Sequence, residues 1–448
     1  MRPPRGTGSM DLAERGTPED ELSSNKPSSI RLIAFASLVG TTIEWYDFFL
    51  YNTAAALVFN KLFFPTFDPF VGTLLAFSTY TVGFVARPIG AIVIGHYGDK
   101  VGRRSMLVLT LVMMGVATCL IGALPTYATI GPWAAVLLVV LRIVQGFGVG
   151  GQWGGAVLMT VEHAPDGQRG FYGSWPQIGV PAGLLTSTII FSLFAKLPAD
   201  QFLAWGWRVP FLMSVVLVGV GLIIRLKVLE TPAFTKMKET RAVVRQPILE
   251  VLRRYPKQVL QAAGMRAAEN GSFYIYSAFM LVYATQHSHI DRSVALNGIM
   301  IASACEFIAV PAYGALTDRI GRRPVYMFGA IMTAVLAFPL FWLFDTRSTP
   351  LVWLALLLVF LCSHAPMYAP QGAFFSELFG TSVRYSGASL GAQLSAAVAG
   401  GFSPLIATAL LPKYGPTAIS IYIIGMALIT IVAVWSAVET MRHGLDQS

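Results

Sequence analysis

The sequence predicts an all-α membrane protein of twelve transmembrane helices arranged as two six-helix bundles. Three observations carry this. Of the 448 residues, 55% are hydrophobic and only 12% charged, about half the charge of an ordinary soluble domain. Apolar stretches recur along nearly the whole chain, and about 20 such residues span the hydrocarbon. One long polar break, near residues 227–257, divides these stretches six and six.

The elements follow in order. Residues 1–29 are polar, rich in Pro, Ser and Gly, and carry both signs of charge; without the apolar stretch of a leader they read as a disordered cytoplasmic segment. The first bundle, residues 30–226, has spans near 30–58, 70–98, 104–124, 133–163, 170–195 and 207–226. The second, residues 258–437, has spans near 258–286, 294–316, 324–344, 351–377, 385–411 and 417–437, and a tail 438–448 follows. Cys119, Cys305 and Cys362 lie inside apolar runs without metal spacing, so neither a metal site nor a disulfide framework is implied.

The net charge of +9 is distributed by side. Arg103, Arg104, Arg169, the basic 227–257 loop, Arg319, Arg322, Arg323, Arg384 and Arg442 share one side, and the opposite loops carry single charges such as Lys61, Lys196 and Lys413. The positive-inside rule makes the basic side cytoplasmic, with both termini there. An even number of spans requires the termini to share a side, so the two readings agree. The basic loop flanks spans and is topological; no nucleic acid is expected.

The halves repeat. Gly95-His96-Tyr97-Gly98-Asp99-Lys100-Val101-Gly102-Arg103-Arg104 is echoed 219 residues later by Gly314-Ala315-Leu316-Thr317-Asp318-Arg319-Ile320-Gly321-Arg322-Arg323. Glu162 and Arg169 are echoed at an offset of 215 by Glu377 and Arg384. Two echoes at nearly one offset point to duplication, as in many secondary carriers.

These decapeptides, with Arg142-Ile143-Val144-Gln145-Gly146, resemble signatures of the major facilitator superfamily. Glu44-Trp45-Tyr46-Asp47-Phe48, Phe84-Val85-Ala86-Arg87-Pro88-Ile89-Gly90, Gly150-Gly151-Gln152-Trp153-Gly154-Gly155 and Trp205-Gly206-Trp207-Arg208-Val209-Pro210-Phe211 are similar to its metabolite:proton symporters, above all the shikimate-carrying branch. The likeness runs from about residue 30 to 437. It implies the major facilitator fold and a carrier, not an enzyme, of the inner membrane. Members carry dicarboxylates, citrate, aromatic acids and betaines, so the resemblance leaves the cargo open. The family usually has an acid where Gln152 stands, so a protonation role there is lost.

Ionisable residues inside spans are the site candidates, because each costs on the order of 2.5–3.5 kcal/mol at mid-membrane. Glu44 and Asp47, three apart and so expected on one helix face, are candidates for proton coupling, Asp47 first; either could instead neutralise a neighbouring arginine. Arg142, with Gln145 a turn on, could clamp a carboxylate through two parallel bonds or pair with an acid of span 1. Arg266, Glu269 and Asn270 in span 7 could touch cargo, or the first two could merely pair. Tyr274 and Tyr276 could offer hydroxyls, and Arg87 could be structural or cargo-facing. Glu306 and His364 rank lower, since a lone histidine on an apolar helix is most often satisfied locally.

Asp99 with Arg103 and Asp318 with Arg322 are expected to gate. An aspartate there can meet the positive N-terminus of a helix of the other half and hold the basic side shut. Glu162, Arg169, Glu377 and Arg384 are expected in the same network, unless the arginines serve topology alone. Gly146, Gly150 and Gly154, with Gly151 and Gly155, and Gly387 with Gly391, have the small-residue spacing of close helix packing. Pro176, Pro181, Pro366 and Pro370 mark kinks.

Other motifs are excluded by context. Gly146-Phe147-Gly148-Val149-Gly150-Gly151 fits a dinucleotide fingerprint but lies in a span without a preceding strand. Gly387-Ala388-Ser389-Leu390-Gly391 imitates a nucleophile elbow within a helix. No Gly-Lys-Ser/Thr occurs, so a P-loop is absent. No cofactor is expected. The expectation is a monomeric carrier, in the lipid bilayer, that moves a small organic acid together with protons by alternating access. A uniporter or exchanger of the same fold is the alternative. A membrane sensor would want a signalling domain, and none is recognised.

Overall fold

The computed structural model describes residues 30–101, 103–150, 152–227, 247–380 and 384–442, and these residues are helical with short connections and no strand among them. Helices satisfy every backbone polar group within the segment, which lipid demands. There are twelve passes: α1 (30–62), α2 (Pro69–Val101), α3 (Arg103–Ala123), α4 (Trp133–Glu162), α5 (Arg169–Ala195), α6 (199–227), α7 (256–287), α8 (Arg292–Ile320), α9 (Arg322–Asp345), α10 (Thr349–Glu377), α11 (384–414) and α12 (416–436). Continuous helix over the last two conceals a corner at Gly415, whose φ of 68° needs glycine.

The expected spans are all present, with α6 starting earlier, at residue 199. Within the described part of the central break, Pro247–Arg254 is a helix that buries Val251 and exposes Leu249 and Leu252. The expectations for residues 1–29, for most of the 227–257 loop and for the end of the tail lie outside the described residues. Glu439 and Thr440, within the tail, are described.

Eight helical stretches are by themselves long and apolar enough to cross a membrane, and the one covering residues 386–436 holds two passes. The outer surface is apolar at mid-span, with Ile308, Val140, Val398 and Leu428 well exposed. Such an exterior suits lipid rather than water. α1 and α7, which carry buried polar side chains of the site, fall short of that apolar standard, and α3 has only a shorter apolar stretch, Val108–Ala123.

Small residues set the packing inside the first bundle. A Cβ on Gly146 would run into the Gly83 carbonyl, and one on Gly150 into the Arg87 carbonyl, so α4 lies against α2 backbone to backbone. The bundles meet along α2 with α11 and along α5 with α8. Wide π-type turns interrupt α1, α6, α7, α10 and α11, places where helices bend and sites are commonly built. In α10 one such turn, Val359–His364, ends just before Pro366, where a kink was expected.

Candidate functional site: a closed central cavity

At the arginine-rich end the two bundles are tied together. Asp318, near the end of α8, accepts from the Gly170 and Phe171 amides at the start of α5, both at 2.8 Å. Arg322 donates to Asp318 at 2.7 Å and to Glu377 at 3.2 Å. Across the bundles, Arg384 lies 3.8 Å from Glu162. The expected pairs therefore exchange partners: Glu377 takes Arg322, and Glu162 takes Arg384 of the other half. The side chains of Asp99 and Arg103 lie outside the described ones. Two members were missed: Glu439 accepts from the Arg322 and Arg323 amides at 2.9 and 3.0 Å, and Thr440 donates to Glu377 at 2.6 Å.

The opposite end is closed by contacts of another kind. Thr81 donates to the Gly401 carbonyl at 2.6 Å, and Arg292 donates to the Ala195 carbonyl, both across the bundles. Phe48, Tyr80 and Phe84 of the first bundle meet Tyr274 of the second at 5.7, 5.8 and 5.1 Å between ring centroids. Bonds across the bundles on both sides define a closed form.

Between these layers lies a small cavity lined by Glu44, Trp45, Arg87, Gln152, Trp153 and Arg266, among others. Arg87 comes from one bundle and Arg266 from the other. Arg87 sits 3.8 Å from the Phe84 centroid and 4.4 Å from that of Phe48, lies beside Tyr274, and leaves Nε and Nη2 without a partner. Arg266 donates to Glu269 at 3.1 Å, and the Asn270 amide oxygen, oriented by its network, takes it at 3.0 and 2.8 Å. Gln152 lines the cavity while donating to Thr110. The arrangement can grip an anion from both sides and lay hydrocarbon or a ring against two tryptophans.

Arg142 lies behind the aromatic layer, 4.6 Å from the Phe48 centroid and 4.1 Å from that of Tyr51. It donates to Gln145 at 3.0 Å, while its Nε and Nη2 have no partner. No ion pair joins it to Asp47. Asp47 instead faces α6 and α3, accepting from Ser214 at 2.7 Å, with Thr118 beside it. Gln145 donates to the same Thr118 at 2.7 Å. Arg142, Gln145 and Thr118 are thus hydrogen-bonded in sequence, and Thr118, whose hydroxyl donates to the Met114 carbonyl at 2.9 Å, lies beside Asp47. Glu44 and Asp47 do not act on one neighbour: three residues of helix turn them about 60° apart, and Glu44 lines the cavity while Asp47 turns away from it.

The family model described as sugar (and other) transporter matches residues 32–448. The chain belongs to this family. It is 42% identical to the shikimate transporter of Escherichia coli K12 over 90% of this chain and 93% of that protein. It is 38% identical to the inner membrane metabolite transport protein YhjE of the same organism, over 92% and 95%. The proline/betaine transporter of that organism is 33% identical over 83% and 76%. Among solved structures, the proton:xylose symporter XylE bound to 6-bromo-6-deoxy-D-glucose superposes with a TM-score of 0.74 at 16% identity, over 94% of this chain and 98% of that one. That likeness speaks for the fold alone. The protein is a membrane transporter of small molecules and not an enzyme.

The transporter's second bundle also holds a buried polar chain that the residues ranked low. His364 lies 3.3 Å from Glu269 through Nε2 and bonds Glu306 through Nδ1. Gln371 donates to Glu269 at 2.9 Å and to the Tyr326 hydroxyl at 3.0 Å. Glu269 and His364 are 95 residues apart; the signal available in sequence was only that three spans each carry an ionisable residue.

Proposed function

We propose that the protein is a proton-coupled symporter of a small organic acid, with the carboxylate held between Arg87 and Arg266 and both termini in the cytoplasm. One observation carries the reading. Arg87 and Arg266, from opposite bundles, line one cavity, and two buried guanidinium nitrogens of Arg87 have no acceptor. A buried donor without an acceptor costs roughly 1–3 kcal/mol, and a carboxylate satisfies two at once through parallel bonds. A ligand gripped from both bundles also favours the closed form, which is what alternating access requires of a cargo. Trp45 and Trp153 suit a ring or a short carbon skeleton, in keeping with the shikimate, dicarboxylate or aromatic-acid class.

Proton coupling is placed at Asp47, with Glu44 as the second acid. Asp47 is buried, and Thr118 beside it accepts from Gln145, which in turn accepts from Arg142 under the aromatic layer. The acid network at the arginine-rich end acts as the cytoplasmic gate. The test is a panel of shikimate, a dicarboxylate, an aromatic acid and glycine betaine offered to proteoliposomes under an inside-alkaline pH gradient. Accumulation of an acid that a protonophore abolishes supports the reading. Uptake that only equilibrates for every member makes the protein a uniporter or exchanger.

A further inference from the structure

We infer that Glu306, His364 and Glu269 form a second proton site, in the C-terminal bundle, whose occupancy is tied to the cavity through Arg266. The inference rests on the reading of that cavity as a carboxylate site.

The three groups come from α8, α10 and α7 and are essentially inaccessible, at 0%, 0% and 3% exposure. His364 bonds a carboxylate through each ring nitrogen. A neutral imidazole has one N–H and one lone pair, so it can donate to only one of two ionised carboxylates. An imidazolium donates to both. The surroundings hold the ring in place: Phe273 stacks on it at 4.0 Å and Tyr368 at 4.9 Å. Charged and titratable groups facing the cluster are Arg266 and Tyr274 from α7, Tyr326 from α9 and Tyr368 from α10.

Charge counting gives the proton its role. With Arg266 and an imidazolium positive and two carboxylates negative, the cluster is neutral. Loss of the proton leaves one net negative charge buried in the bundle. Arg266 is both the partner of Glu269, at 3.1 Å, and a wall of the cavity. A carboxylate arriving in the cavity takes up part of the guanidinium's charge, so Glu269 leans more heavily on His364. The anion therefore strengthens proton binding at His364, and by linkage the proton strengthens anion binding to the same degree. Glu306 has a second oxygen without a partner, which leaves it free to receive the proton from the ring when the cluster rearranges.

Two measurements test this. Histidine-specific 15N spectra of the full-length protein at pH 8, where ordinary histidines with pKa about 6.5 are neutral, should show one imidazolium that vanishes in His364→Gln. No such signal overturns the site, and this needs no ligand. Shikimate is then added to purified protein in weakly buffered detergent solution with a pH-indicator dye. Protons taken up per shikimate bound should fall by half or more in His364→Gln and in Glu306→Gln relative to the unaltered chain, with shikimate counterflow reporting that the variants are folded. Undiminished uptake in both variants overturns the link to the cavity. Failure of the unaltered chain to accumulate any acid under a pH gradient would instead be a failure of the proposed function.

Discussion

Asp318 closes on Gly170: from the end of α8 one of its oxygens meets the Gly170 amide at 2.8 Å, and the other meets the next amide, that of Phe171, at the same distance. The carboxylate thereby sits on the positive end of α5, a helix of the other bundle. A Cβ on Gly314, one turn back along α8, would lie 2.6 Å from Ser174 Oγ, so the close approach depends on glycine. Hydrogen bonds to a charged group are worth about 1.5–3 kcal/mol. Asp318→Asn keeps the shape and loses the charge. It should open the arginine-rich end, raising the alkylation rate of a cysteine introduced at Ala156, in the cavity wall, by roughly tenfold for each 1.4 kcal/mol lost. An unchanged rate would show that the contact does not gate.

Arg87 and Arg266 should not tolerate lysine. The charge survives Arg→Lys, but the planar fork does not. Each substitution should raise the apparent Kd for a transported acid by roughly 10- to 100-fold, the equivalent of one charge-assisted bond, in a binding titration. Lysine variants with unaltered affinity would move the carboxylate elsewhere.

Thr118 should matter without being ionisable. Its hydroxyl accepts from Gln145 and lies beside Asp47, and Thr118→Val removes it at constant shape. Both Thr118→Val and Asp47→Asn should lose pH-driven accumulation while retaining exchange of labelled for unlabelled acid across the membrane. If Thr118→Val accumulates acid as well as the unaltered chain, the hydroxyl beside Asp47 is not part of coupling.

Phe48 separates two cations, with the Arg87 and Arg142 guanidinium carbons 4.4 and 4.6 Å from one ring centroid. Desolvated cation–π contacts reach about 2 kcal/mol. Phe48→Leu keeps most of the volume and loses the ring, so thermal unfolding should begin several degrees lower. A bound acid should recover part of the loss, because it supplies negative charge beside Arg87. No change in melting temperature would mean that the ring fills space only.

The fold was legible because lipid imposes a simple pattern of apolar runs and basic loops, and even the contact of Asp318 with a helix of the other half was visible once the repeat was seen. Side-chain partners were less so. Three residues along α1 separate Glu44 from Asp47 by part of a turn, enough to give them different neighbours. Glu162 and Arg384 sit in different halves, so their pairing depends on how the bundles meet. His364 looked like an isolated histidine because Glu306 and Glu269 reach it only through the convergence of α7, α8 and α10. Glu439 and Thr440 were assigned to a plain tail, yet they bond the first turn of α9 and Glu377.

The central claim, that an acid and a proton cross together, is tested most directly by the external pH when shikimate is added to energy-depleted proteoliposomes. The account predicts alkalinisation of the medium by about one proton per molecule taken up. A monovalent anion moving with one proton carries no net charge, so a membrane potential, worth about 2.3 kcal/mol per charge per 100 mV, should leave uptake unchanged. Uptake of shikimate without any shift of external pH would contradict it.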